Sequence, residues 1–163
     1  MQLNGLIYSL SKEIKLLIGA FLIVLSVGFY TGLSFVNETT SIQPGGIEEN
    51  YLGNENDEDA LVMKFKKSPK EMLSIVHSHI LSMSIIFFLV GLVLSITNLP
   101  RALKLFLMIE PFFSVLFTFG GLYFLWNGVL WIKYVVMISG AVMTFSYSMA
   151  ILIILFQLLR KHN

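Results

Sequence analysis

Four long apolar stretches, set apart by polar punctuation, dominate the chain. They run over about 16–36, 72–97, 103–126 and 131–159, each at or above the roughly 20 residues a helix needs to cross the hydrocarbon core of a bilayer. Lipid offers no water to unpaired backbone groups, so an apolar run of this length is expected to be helical. The pattern predicts an all-α integral membrane protein, a four-helix bundle forming a single membrane domain over 1–163. The turn signal Asn127-Gly128 separates the last two spans. The first follows Lys12 and Lys15 and lacks a small-residue cleavage site after a short apolar core, so it reads as an uncleaved anchor.

Between the first two runs, residues 37–70 are polar and read as one extracytoplasmic loop. It is punctuated by Pro44-Gly45-Gly46 and carries the acidic run Glu55, Asp57, Glu58, Asp59. That run lacks the glycine and the closing Glu of a calcium-binding EF-hand loop and reads as a solvated acidic segment. The loop closes on Ser68-Pro69-Lys70-Glu71. Here Ser can cap, Pro suits the first helical position and Glu three residues on completes a capping box, so the second helix is expected to start near Pro69.

Composition narrows the function classes. Hydrophobic residues make up 56% of the chain and charged residues 13%, against about a quarter charged in soluble domains. A net charge of +1, with no basic block interleaved with aromatics, excludes the electrostatic footprint of a nucleic-acid-binding protein. The chain has no cysteine, which rules out disulfides, thiolate metal sites, Cys-ligated iron–sulfur clusters and covalently attached haem. Lys12, Lys15, Arg101, Lys104, Arg160 and Lys161 would share one side of the membrane, which the positive-inside rule assigns to the cytoplasm. Lys64, Lys66, Lys67, Lys70 and Lys133 fall on the other side. The expected topology has both termini cytoplasmic.

Candidate chemistry rests on three ionisable groups inside the spans, His77, His79 and Glu110. Such groups are costly in lipid and mark a pathway, a relay, a ligand site or polar glue between helices. With the helix starting near Pro69, the two imidazoles lie roughly 12 to 15 Å along it, below the headgroups. Residues two apart on a helix differ by about 200°, so the pair cannot clamp one ion from one face. The geometry disfavours zinc and suits an imidazole acting as axial ligand of a haem iron while the other meets separate surroundings. A second axial ligand would have to be a methionine, with Met108, Met137, Met143 and Met149 in reach in principle, although such residues mostly fill packing gaps. Glu110, followed by Pro111, reads either as a proton-relay or quinone-site carboxyl or as an acid hydrogen-bonded across the bundle. Gly28 and Gly32, and the stripe Gly140, Thr144, Ser148, read as helix-packing positions, and Gly120-Gly121 as a kink or close crossing.

The stretch Val76-His77-Ser78-His79-Ile80-Leu81-Ser82-Met83, with Phe87 following, resembles the helix of heme-copper oxidase subunit I that carries a His-x-His pair before a Leu-Ser-Met segment. In that family one histidine ligates the low-spin haem and the other the oxygen-reducing haem. The resemblance implies His77 and His79 as haem-iron ligands. It covers one helix. The family has many more spans and further histidines for copper, whereas the only other histidine here is His162, so terminal oxidase activity is not implied. The whole chain also resembles bacterial four-span membrane proteins sharing the His-x-His helix, which implies the bacterial cytoplasmic (inner) membrane.

Three functions follow as expectations. The first is a haem-binding or redox-associated subunit of a respiratory complex, carrying haem b. The second is a non-enzymatic structural or assembly protein, and the third a small transporter or proton-conducting protein lined by Ser74, Ser78, Ser82, Ser84 and Glu110. No hydrolase or transferase constellation is visible, so the chain is not expected to be an enzyme in its own right. Its partners are expected to be the bilayer and other membrane subunits or further copies of itself, with no nucleic acid.

Overall fold

The computed structural model describes residues 3–55 and 62–160. Among the described residues six α-helices follow one another: α1 (Lys12–Thr40), α2 (Pro44–Leu52), α3 (Pro69–Ser95), α4 (Arg101–Val115), α5 (Gly121–Trp126) and α6 (Ile132–Leu159). A π-helical turn, Leu116–Gly120, joins α4 to α5, so Arg101–Trp126 runs as one span. That span, α1, α3 and α6 are each long and apolar enough to cross a membrane. The described residues contain no strand, and the all-helical, four-span reading holds.

The helices overrun the apolar stretches because hydrocarbon thickness limits the apolar run and not the helix. At the start of α1, Ser11 Oγ caps by accepting from the Ile14 N–H at 3.5 Å. α3 begins at Pro69 through the expected capping box. The Ser68 N–H donates to the Glu71 carboxylate at 2.8 Å, and the Glu71 N–H donates to Ser68 Oγ at 3.3 Å.

Residues 37–70 differ from the loop expected there, because they contain α2. Pro44 occupies its first turn, where a fixed φ favours helix. Ile47 and Tyr51, one turn apart, enter a crevice formed by Met72 of α3, Leu122 and Leu125 of α5 and Val136 of α6. The reversal from α1 to α2 is tight enough that a Cβ on Gly46 would lie 2.0 Å from the Thr40 carbonyl oxygen, so only glycine fits. Asn54 then pins the returning strand of chain: its backbone N–H donates to Lys64 O at 2.9 Å and its Oδ1 accepts from the Lys64 N–H at 2.6 Å. Glu55 is described; Asp57, Glu58 and Asp59 of the acidic run lie outside the described residues, as does His162.

The core lies between α3, the third span and α6. Phe87, Val90 and Leu94 meet Leu107 and Val115 of α4 and Met143, Tyr147, Ile151 and Ile154 of α6. α1 stands at the edge of this unit, packing on α6 and α2. In its most apolar stretch only 6% of residues are buried, against 44% in the third span, so the bundle is three spans with a fourth laid alongside. The α1–α6 seam stacks Phe29 on Tyr147, ring centroids 3.9 Å apart, and sets the Tyr30 hydroxyl 2.7 Å from Ser148 Oγ. Gly28 and Gly32 do not serve packing within the chain, since a Cβ on either would meet nothing within 4 Å. Gly140 is likewise open, whereas a Cβ on Gly121 would come within 2.7 Å of Val136 Cγ2. The close crossing expected at Gly120-Gly121 is therefore between α5 and α6.

The two ends are tied by different chemistry. At one end a 3₁₀ turn, Leu6–Ser9, buries Ile7, whose N–H donates to Ile96 O at 3.1 Å. Lys104 donates to Asn4 Oδ1, Ser95 O and Thr97 O at 2.7, 3.0 and 2.6 Å, satisfying carbonyls that α3 leaves open at its C-terminus. Gln157 of α6 grips the same connection, with Oε1 accepting from the Asn98 N–H at 2.8 Å and Nε2 donating to Asn98 O at 3.1 Å. At the opposite end Lys133 pairs with Glu48 at 2.5 Å, and Trp126 Nε1–H donates to Lys67 O at 2.8 Å. The segment before α1 and the last turn of α6 thus share one end of the molecule.

Candidate functional site

α3 carries a polar stripe on its outward side. Ser74, His77, Ser78, His79 and Ser82 are all exposed. Helical spacing brings Ser74, Ser78 and Ser82 onto neighbouring positions of one face, with the imidazoles to either side of it. Two serines are satisfied by their own helix, Ser78 Oγ–H donating to Ser74 O at 2.6 Å and Ser82 Oγ–H to His79 O at 3.4 Å. Bound in this way on the outside, they do not line an internal path.

The imidazoles have separate surroundings, as the spacing predicts. His79 turns toward the π-helical turn of the third span, where its ring stacks on Phe119 with centroids 4.6 Å apart and planes at 27°. Its Nδ1 lies 2.8 Å from Ile75 O. A carbonyl only accepts, so Nδ1 carries the proton, and in the neutral ring Nε2 holds the free lone pair. His77 is exposed and makes no hydrogen bond among the described residues. Neither the groove between α1 and α6 nor the groove between α4 and α6 contains His77 or His79. Met108, Met143 and Met149 pack in the main core and Met137 in the cluster beneath α2, which is the gap-filling use expected of methionine. Among the described residues, no three His, Asp or Glu side chains gather closely enough to hold a metal ion.

Glu110 belongs to a different place. It lies half-buried on the α6 side of α4, ahead of Pro111, which stays within the helix. Its Oε1 accepts a hydrogen bond from Ser114 Oγ–H, one turn on. Its Oε2 is buried and has no hydrogen-bond partner among the described residues. A further turn on, Thr118 Oγ1 lies 2.8 Å from Ser139 Oγ of α6. Glu110, Ser114 and Thr118 recur every four residues and so form one seam facing α6, a signal that the spacing already contains. A groove of about 330 Å³ opens beside the seam, walled by Phe113 and Phe117 from the third span and Ile138 and Val142 from α6. Phe117 of that wall and Thr118 of the seam lie in the π-helical turn itself, and such turns are frequent at functional sites.

The larger groove, about 470 Å³, lies between α1 and α6 and includes Ser26, Thr31 and Ser34. Those hydroxyls donate to Leu22 O, Gly28 O and Tyr30 O at 2.7, 2.9 and 3.1 Å. With its polar groups satisfied, that groove makes no demand for a ligand.

No curated protein and no solved structure matches this chain. A family description, a transmembrane helical domain, matches residues 41–163. The matched length begins after α1 and takes in α2, α3, the third span and α6, the same unit that packs around the common core. On that match over most of its length, the chain belongs to the Aq_1264_TM family of transmembrane helical domains.

Proposed function

We propose that the chain is a non-catalytic subunit of a larger assembly in the bacterial cytoplasmic membrane, with both termini cytoplasmic, and that the polar face of α3 is its contact with that assembly. The observation that carries this reading is the exposure of His77 and His79 at hydrocarbon depth. Imidazoles facing lipid are costly, whereas the same groups facing another helix gain hydrogen bonds. Helices packed on either side of the Ser74–Ser78–Ser82 row would cover the free Nε2 of His79 on one flank and the His77 ring on the other. The test is the particle mass of protein extracted in its native lipid. Wild type is expected well above the 18.4 kDa of one chain. His77→Leu and His79→Leu are each expected to weaken association about three- to tenfold, the worth of one interhelical hydrogen bond. A monomer in native lipid counts against the reading.

A second reading, haem b held at that contact, draws support from one atom. The Nδ1–H···O bond to Ile75 orients His79 and leaves Nε2 with its lone pair, the arrangement of a metal-ligating imidazole. The donor fits, and His79 is exposed on the single chain, so the porphyrin would lie between subunits. Bound there, haem would supply one-electron transfer. A reduced-minus-oxidised spectrum that disappears in His79→Ala supports it; a haem-replete assembly without a Soret band removes it and leaves the structural role.

A further inference from the structure

We infer that the groove between α4 and α6 is a binding site for a lipid-soluble molecule bearing a phenolic or hydroquinone hydroxyl, held by the Glu110 carboxyl. This rests on geometry separate from the histidine face. Glu110 Oε1 is engaged by Ser114, while Oε2 is buried and unpartnered. As a carboxylate that oxygen lacks a donor, and as a carboxylic acid it lacks an acceptor; a hydroxyl group answers both conditions. No Lys, Arg or His lines the groove, so nothing in its wall supplies the partner. The other hydroxyls beside it are already committed, Thr118 to Ser139 and Ser139 to Val135 O at 2.8 Å. Glu110 is the open polar group of this groove.

Depth and lining choose among hydroxyl-bearing molecules. From Arg101 the helix rises about 13 Å to Glu110, close to half of the roughly 30 Å hydrocarbon thickness. Phospholipid headgroups stay at the interface, and a charged amine at this depth is costly. The molecule must therefore be soluble in the hydrocarbon itself and carry a small neutral polar group. Phe113, Phe117 and Ile138 are exposed to 57, 55 and 66%, so the groove opens sideways into lipid and offers aromatic faces to a flat ring. Its volume of about 330 Å³ suits a ring-sized headgroup, at the lower end of ordinary ligand sites, with any hydrocarbon tail running out into the bilayer.

The test uses the full chain in phospholipid nanodiscs with dicyclohexylcarbodiimide, a lipid-soluble carboxyl reagent. The carboxyl proton passes to a carbodiimide nitrogen as the carboxyl oxygen bonds the central carbon. The acyl group then moves from oxygen to nitrogen, leaving an N-acylurea that peptide mass spectrometry locates. Wild type is expected to be labelled at Glu110, with that label absent in Glu110→Gln of unchanged elution profile. Under anaerobic conditions a short-chain alkyl hydroquinone is expected to suppress labelling at about tenfold lower concentration than the matched alkylbenzene, the difference one hydrogen bond to a carboxyl makes. Ser114→Ala, which leaves the groove open, is expected to remain labelled. Absence of label on wild-type Glu110, or equal suppression by the hydroquinone and the alkylbenzene, overturns the proposal.

Discussion

Gly121 and Ser146 show how differently single positions are constrained inside a membrane bundle. At Gly121 the limit is contact: a methyl group there would press on Val136 Cγ2, a β-branched side chain with little rotamer freedom. Gly121→Ala is expected to cost about 1–3 kcal/mol by overpacking, and Val136→Ala in the same chain should recover part of it through coupling. Reversible unfolding in mild detergent measures both. Ser146 presents the opposite case, a wholly buried residue whose Oγ has no hydrogen-bond partner among the described residues. Removing an unsatisfied hydroxyl leaves nothing unpaired, so Ser146→Ala is expected to be neutral or to stabilise by about 1 kcal/mol. A clear loss of stability in that variant would mean that the hydroxyl has a partner in the native membrane.

Among the elements, α2 departs most from a reading of polarity. Its sequence is short and opens on Pro44-Gly45-Gly46, and the residues that anchor it, Ile47 and Tyr51, gain their role from a crevice made by three other helices. Burial of Tyr51 there pushes its phenol above the ordinary tyrosine range. Docking depends on the turn at Gly46, where the obstructing atom is backbone and cannot swing aside. Gly46→Val is therefore expected to release α2 while leaving the spans intact. Hydrogen exchange should then accelerate across Pro44–Leu52, with α3 and α6 keeping their protection. By contrast α3 announces its own start, since the capping box is local and Ser68-Pro69-Lys70-Glu71 contains every group it needs.

For the whole molecule, an odd number of crossings separates the segment before α1 from the α2 side, and the absence of cysteine makes each engineered cysteine a unique reporter. On the proposed topology, with the termini cytoplasmic, Val62→Cys is expected to react with an impermeant maleimide added outside intact cells, and Leu3→Cys only after the membrane is opened. Both native positions are exposed, at 67% and 45%. The reverse pattern would place the basic end outside. Labelling of both from one side would contradict an odd crossing number between them. The peripheral seat of α1 belongs to this scale too, as does its position ahead of the matched residues 41–163.

What the sequence by itself determined were the properties that depend on neighbours along the chain: four apolar spans, the capping box that starts α3, and two imidazoles held in different surroundings by the 200° between them. Glu110 and its seam were half legible, because the spacing of Ser114 and Thr118 is local but Ser139 comes from another helix. Tertiary structure alone decided which faces are covered. Lipid is as apolar as a helix interface, so hydropathy cannot distinguish a core-facing span from a peripheral one. For that reason the exposure of His77 and His79, the edge position of α1, the idle glycines Gly28 and Gly32 and the docking of α2 became visible only once the helices were packed. The Lys104 and Gln157 ties were hidden for a related reason: each satisfies backbone groups left open far away in sequence.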